Sequence, residues 1–362
     1  MTQRIAMLAT LTAISITSFQ ANAYTISTGF TDSCHEFMTI QAVTTNELPT
    51  NFQPFFIPEP DSETWEILAE KVIPGPRGTT MDQFGEAGEL VLISLTMGVR
   101  SPDTEGHSVT NLATLRDAHT NPAGQYQHFL RSTRDDGVDG DFQAIVGSIR
   151  FFRDTVQTAL AYLKFPPRGQ IITITAYADF YGQIKVDVWA PMFYLGVAMH
   201  TLQDSFSHTV RSDDLRKIRH VMNFIDAVTT DHKASRDGLA HSAAMDDCGA
   251  DAEEISLVAI EATQELVNAG ANAITLDSMA PIDDFIERWF QYEPGCTAQN
   301  NFCDSKWAHI ARRDPTGPFI ADAFDCTQTS TARPTDPKAA AFFTLLTGAA
   351  IMTRRRRRKN RP

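Results

Sequence analysis

The chain has 362 residues, 43% of them hydrophobic, enough for one large domain or two small ones. Its 31 Lys and Arg stand against 44 Asp and Glu, and eight of the basic residues (Arg4 and seven from Arg354 onward) lie at the two ends, which leaves 23 against 44 between them, a balance of −21. Such a body repels long polyanions unless bound cations reverse the field locally, so non-specific nucleic-acid binding through basic patches is excluded.

Residues 1–23 carry one early basic residue, Arg4, then the apolar run IAMLATLTAISITSF and the small-residue sequence Ala21-Asn22-Ala23. This pattern predicts a secretory signal cut before Tyr24, the alternative being an uncleaved anchor, for which the apolar run is short. The body, 24–325, shows no low-complexity break and no internal repeat. Helical periodicity predicts helices over 64–73, 141–163, 191–210, 251–274 and 281–291. The β-like run QIITITAYADFYGQIKVDVW (170–189) interrupts them as a hairpin or extended insertion. The expected class is mainly α, a multi-helix bundle with a short β-like insertion, whose core can host metal between facing helices.

A Pro/Thr/Ser-rich linker (326–338) leads to fifteen apolar or small residues, 339–353, and a basic tail, 354–362, with five consecutive arginines. As a helix the apolar segment reaches about 22 Å, short of a bilayer core of about 30 Å, but Lys338 can snorkel at one end and the arginines hold the other in the cytoplasm. The end resembles the tripartite sorting signals of bacterial surface proteins, with the body outside and a membrane contact through 339–353. A basic arm for nucleic acid would leave the apolar run without purpose. An exported chain should oxidise most of its five cysteines. The expected pairs are Cys34 with Cys248 and Cys296 with Cys303, leaving Cys326 beside the linker.

Ten histidines are present, nine of them before residue 242. In MFYLGVAMHTLQDSFSHTV (192–210), His200, Asp204 and His208 recur every four residues, so on a helix they form one stripe about 12 Å long. Their neighbours Leu195, Met199, Leu202 and Phe206 are apolar, which sets the polar stripe beside a buried face where it needs partners, and metal satisfies that need.

FYLGVAMHTLQDSFSH is similar to the sequence around the His-x3-Asp zinc ligands of the zinc-dependent phospholipase C family, which includes the single-strand nucleases of fungi and plants. CHEFMTIQA places His35 near the expected mature amino terminus, opening a helix, and QYQHF places His128 where that family has a mid-chain ligand, with Asp103 of GVRSPDTEGHS upstream. The resemblance spans residues 24–245 and implies a helical bundle of that type binding two or three Zn2+. It implies that His200 and Asp204 share one ion with His128 and Asp103, while Asp204 bridges to another held by His35 and the free amino terminus. Two departures stand out: His208 follows the aspartate by four residues rather than six, and the family's closing His-x3-Glu/Asp is absent, since His220 has Phe224 and His241 has Met245 at that place. The nearest substitutes are His220 with Asp226, or Asp237 with His241. The candidate metal ligands are therefore His35, Asp103, His128, His200, Asp204, His208, His220 and His241.

Zinc lowers the pKa of bound water toward about 7 and suits phosphoester hydrolysis, with Asp103 as the group that orients or deprotonates the water. The expected function is an exported zinc-dependent phosphodiesterase, in the periplasm or at the cell surface of a bacterium, acting on phospholipid head groups, nucleotides or similar esters. The alternative is a non-catalytic surface protein that keeps metal for structure and binds rather than cuts. No Gly-x-Ser-x-Gly elbow is present, which disfavours a serine hydrolase.

Overall fold

The computed structural model describes residues 34–44, 85–108, 121–223 except 123, 133, 136, 138, 179 and 180, 239–248 except 243, and 252–312, together with 49, 52, 54, 64 and 68. Among them the fold is mainly helical, with two small sheets. The helices are α1 (Cys34–Thr44), α2 (Gly85–Thr104), α3 (Gly140–Tyr162), α4 (Ala190–Ser207), α5 (Glu253–Leu276), α6 (Ala280–Trp289), and the short α7 (Asn301–Asp304) and α8 (Ala308–Ala311).

Helices α3, α5 and α6 form where periodicity predicts them, because each buries one stripe. In α3 the buried residues include Ala144, Ile145, Ser148, Phe152, Thr155, Val156 and Ala159, at spacings of three and four, and in α6 they are Ile282, Phe285 and Trp289. Asp277, in the left-handed region at φ 45°, stops α5 by donating its N–H back to the last-turn carbonyls. The expected helix over 64–73 lies outside the described residues except for Thr64 and Leu68. So do the signal at 1–23, the linker, the 339–353 segment and Cys326; among the described residues no helix is long and apolar enough to cross a membrane.

Helix α2 has no counterpart among the sequence expectations. Residues 90–100 are all buried, with the polar Ser94, Thr96 and Arg100 among the apolar residues, so the segment has no solvent-facing polar stripe to mark it as a surface helix. Pro102 sits in its last turn and removes the N–H that would bond the Gly98 carbonyl, two residues before the helix stops at Thr104.

The β-like run is a hairpin, β1 (Ile171–Ala178) paired antiparallel with β2 (Gly182–Trp189) from Ile171↔Trp189 to Ala178↔Gly182, with Gly182 at φ +83° after the turn. Ala176, Ala178, Val186 and Val188 pack with Ile40 of α1, Ile93 and Met97 of α2 and Phe193 of α4. Thr173, Thr175, Lys185 and Asp187 alternate outward and are exposed.

Helix α4 runs through the core, packed against α2, α3 and α5, and nearly every residue in it is buried. It ends at Ser207 rather than continuing to 210. His208 leaves helical geometry (φ −100°, ψ 12°), and Thr209–Arg211 becomes β3, paired with β4 (Lys217–Val221), which in turn pairs parallel with β5 (Gln291–Tyr292). The last-turn carbonyl of Ser205 accepts from the Thr209 hydroxyl at 2.6 Å and Arg211 Nε at 3.0 Å, so side chains satisfy the helix end. Both expected disulfides are present, Cys34–Cys248 and Cys296–Cys303.

Candidate metal centre

Helices α2 and α4 approach closely because Gly98 and Gly196 meet at their crossing; a Cβ built on Gly98 would lie 3.0 Å from the Gly196 Cα and collide with the Phe193 carbonyl. That approach lets His200 Nδ1 donate to the Val99 carbonyl at 2.9 Å. One turn beyond Val99, at the end of α2, stands Asp103. His35 lies in the first turn of α1 beside the disulfide-bonded Cys34. A 3-10 turn, Gly124–His128, carries His128, and the Thr201 hydroxyl donating to the Gln127 carbonyl at 2.8 Å fastens that turn to α4.

These four elements bring five of the expected ligands together. Asp204 Oδ2 is 2.8 Å from His200 Nε2 and 3.2 Å from His128 Nδ1, and Asp204 Oδ1 is 3.2 Å from His35 Nε2. His128 Nδ1 and His200 Nε2 are 3.0 Å apart. Asp103 stands farther out, its carboxylate 3.7 to 4.0 Å from His128, His200 and His35. It is 6% exposed, while the other four are completely buried.

A second group adjoins the first. His208 Nδ1 donates to the His128 carbonyl at 2.5 Å, and its Nε2 faces His241 Nε2 at 3.0 Å and Asp246 Oδ1 at 3.5 Å. Asp246 Oδ2 is 3.0 Å from His241 Nε2. Sequence reasoning did not find Asp246. It looked four residues beyond His241, where a helix would put the partner, but His241 follows a bridge between Ala240 and Asn223, and the needed carboxylate comes five residues on, two before Cys248. Proximity to the disulfide was the available signal.

His220 belongs to neither group. Its Nδ1 lies 3.1 Å from Asp141 Oδ1, its Nε2 accepts from the Leu239 backbone N–H at 3.1 Å, and Arg131 joins the same carboxylate at 2.7 Å. Both ring nitrogens are thus engaged, and among the described residues His220 is in none of the three groups that could hold a metal ion. Phe224, Asp226 and Asp237 lie outside the described residues, and so does the expected amino terminus at Tyr24.

The donors suit a cation. His200 and His208 each commit Nδ1–H to a backbone carbonyl, which leaves the Nε2 lone pair pointing into the groups. This is the usual arrangement of metal-binding imidazoles. A lone pair against a carboxylate repels unless a proton or a metal ion lies between them. Asp204 Oδ1 and both oxygens of Asp246 are buried and accept no hydrogen bond among the described residues. Burial opposes ionisation of Asp204, but His200, His208 and His35 hold its carboxyl well below the usual range. At His35 burial lowers the pKa, yet the Asp204 and Asp103 carboxylates outweigh it and push the imidazole up to about 9. Burial pushes Asp246 up to about 7. Three overlapping or adjacent sets of buried side chains can therefore hold metal: His35, Asp103 and His200; His128, His200 and Asp204; and His208, His241 and Asp246. Compared with protein-family models, curated proteins and solved structures, the chain matches none.

Proposed function

We propose that this chain is an exported zinc-dependent phosphoester hydrolase related to the phospholipase C and single-strand nuclease family, holding two or three ions. The observation that carries the reading is the continuity of the two groups. His128 lends its ring to one and its carbonyl to His208 of the other, and Asp204 stands between them, 3.8 Å from His208 Nδ1. Carboxylates shared between adjacent cation sites are the arrangement that suits in-line displacement at phosphorus. Zinc, when bound, supplies the positive charge that acidifies a water and offsets charge growing on the phosphoryl oxygens. Asp204 balances the cations, the Val99 carbonyl keeps His200 in its tautomer, and Asp103, the most accessible member, orients the water and takes its proton. The substrate class is a phospholipid head group, nucleotide or similar ester. Two disulfides support an oxidising compartment, in keeping with export and an anchor or sorting segment at 339–353.

Near-complete burial of the ligands favours a second reading, a metal-stabilised surface protein that binds without cutting. Zinc content measured together with hydrolysis of a chromogenic phosphodiester separates the two. Two or more ions with turnover support the hydrolase, one ion without turnover supports the structural role, and no zinc removes both.

A further inference from the structure

We infer that Gln203 is a positioning residue that fixes which nitrogen of His35 faces the metal centre, an inference that rests on the zinc-binding reading above. Gln203 neighbours Asp204 on α4, is completely buried, and points away from the carboxylates toward α1 and α5. The orientation of its amide follows from one committed hydroxyl. Thr263 of α5 donates its only hydroxyl proton to the Ala259 carbonyl at 2.7 Å, so toward Gln203, 3.4 Å away, it can only accept. Gln203 Nε2 must therefore face Thr263, and it also reaches the Thr39 hydroxyl of α1 at 3.0 Å. The amide oxygen is left for His35, whose Nδ1 lies 2.7 Å away and must be the donor.

With Nδ1–H committed to an amide oxygen, His35 presents Nε2 to Asp204 Oδ1 at 3.2 Å and Asp103 Oδ2 at 4.0 Å. A directional chain thus runs from the Ala259 carbonyl through Thr263 and Gln203 to His35, joining three helices. His200 and His208 receive the same service from backbone carbonyls, which no substitution can remove; at His35 a side chain supplies it. Outer partners of this kind set tautomer, ring orientation and basicity, and losing one weakens metal affinity by about 10- to 100-fold.

The test measures zinc affinity by chelator competition in wild type, Gln203→Met, Gln203→Glu and Thr263→Val, with nitrogen-15 histidine spectra of the zinc-loaded proteins. Wild type should show a protonated, hydrogen-bonded Nδ1 on His35 and metal at Nε2. Gln203→Met, which keeps the volume but offers no strong acceptor, should lose about 10- to 100-fold in affinity together with that Nδ1–H signal. Gln203→Glu retains the acceptor and should keep both. Thr263→Val touches no ligand and frees the amide to turn, so a smaller loss with weakening of the same signal is expected even if Gln203→Met does not fold. Unchanged affinity and an unchanged His35 spectrum in Gln203→Met or Thr263→Val overturn this inference while leaving the zinc reading intact. A wild type that binds no zinc overturns the reading beneath it.

Discussion

Gly98 and Gly196 stand face to face where α2 crosses α4, with no room for a side chain on either. A methyl on Gly196 would strike the Leu95 carbonyl, which is backbone and cannot turn aside. Overpacking of this sort costs typically 1–3 kcal/mol. Gly196→Ala should therefore lower stability by about that amount and pull His200 away from the Val99 carbonyl, weakening zinc binding. Denaturant unfolding and zinc titration of the variant check both; full affinity would show that the glycine contact does not set His200.

Asp204 is the carboxylate nearest three of the imidazoles. Asp204→Asn keeps the shape and removes the charge, so hydrolysis of a chromogenic phosphodiester should fall by more than 100-fold, roughly 3 kcal/mol of barrier, with loss of at least one zinc. His208→Ala should lose zinc mainly from the second group. Full turnover in Asp204→Asn would refute the mechanism.

Asp246 distinguishes the second group from the first. Asp246→Asn should remove one zinc while the His200 group keeps its own, and His220→Ala, at a residue engaged by Asp141 and Leu239, should change stability without changing metal stoichiometry. Elemental analysis of the two purified variants decides this, and unaltered zinc in Asp246→Asn would exclude that carboxylate as a ligand.

Metal removal should make stability strongly pH-dependent. His35 is raised to about 9 in the folded protein from 6.5, so its contribution is fully present below 6.5 and is lost as pH rises toward 9. Asp246, raised from 3.8 to about 7, has the same sign, stabilising the metal-free fold below about 4 and losing that stabilisation by about 7. Metal-free protein should thus unfold more easily at pH 9 than at pH 6.5, by an amount on the order of a few kcal/mol, whereas zinc affinity should rise over the same range because fewer protons must leave. Thermal melts with and without chelator test the pair of slopes.

The Cys34–Cys248 bond ties the helix start carrying His35 to the segment carrying His241 and Asp246, across a sequence separation of 214. Replacing both cysteines with alanine should cost up to about 5 kcal/mol and weaken both groups together, while loss of Cys296–Cys303 should spare metal content. Zinc analysis after selective replacement is the check.

Local pattern was sufficient for α3, α5 and α6 and for the β character of 170–189, because a one-sided helix and a two-residue strand period are written in consecutive residues, while the choice of a hairpin over an extended insertion came from the pairing itself. It also placed His200 and Asp204 on one face, a matter of helical geometry alone, while the cysteine pairs were expected from the short loop between Cys296 and Cys303 and from the acidic and histidine neighbours of Cys34 and Cys248. Helix α2 escaped because residues 90–100 are buried on every side and no polar face marks the segment, and the end of α4 was misplaced because β3 pairing and side-chain capping at Ser205 decide it from outside the helix. Only the tertiary structure could set His220 against Asp141 and Leu239 and bring Asp246 beside His208 and His241. Which imidazole meets a carboxylate is settled by chain segments far apart in sequence: Asp141 lies 79 residues before His220, while the disulfide brings the Asp246 segment beside α1. Spacing along the chain describes neighbours on one element, but these His and Asp groups are assembled from several, and their approach depends on two glycines, one disulfide and the carbonyls that hold the rings.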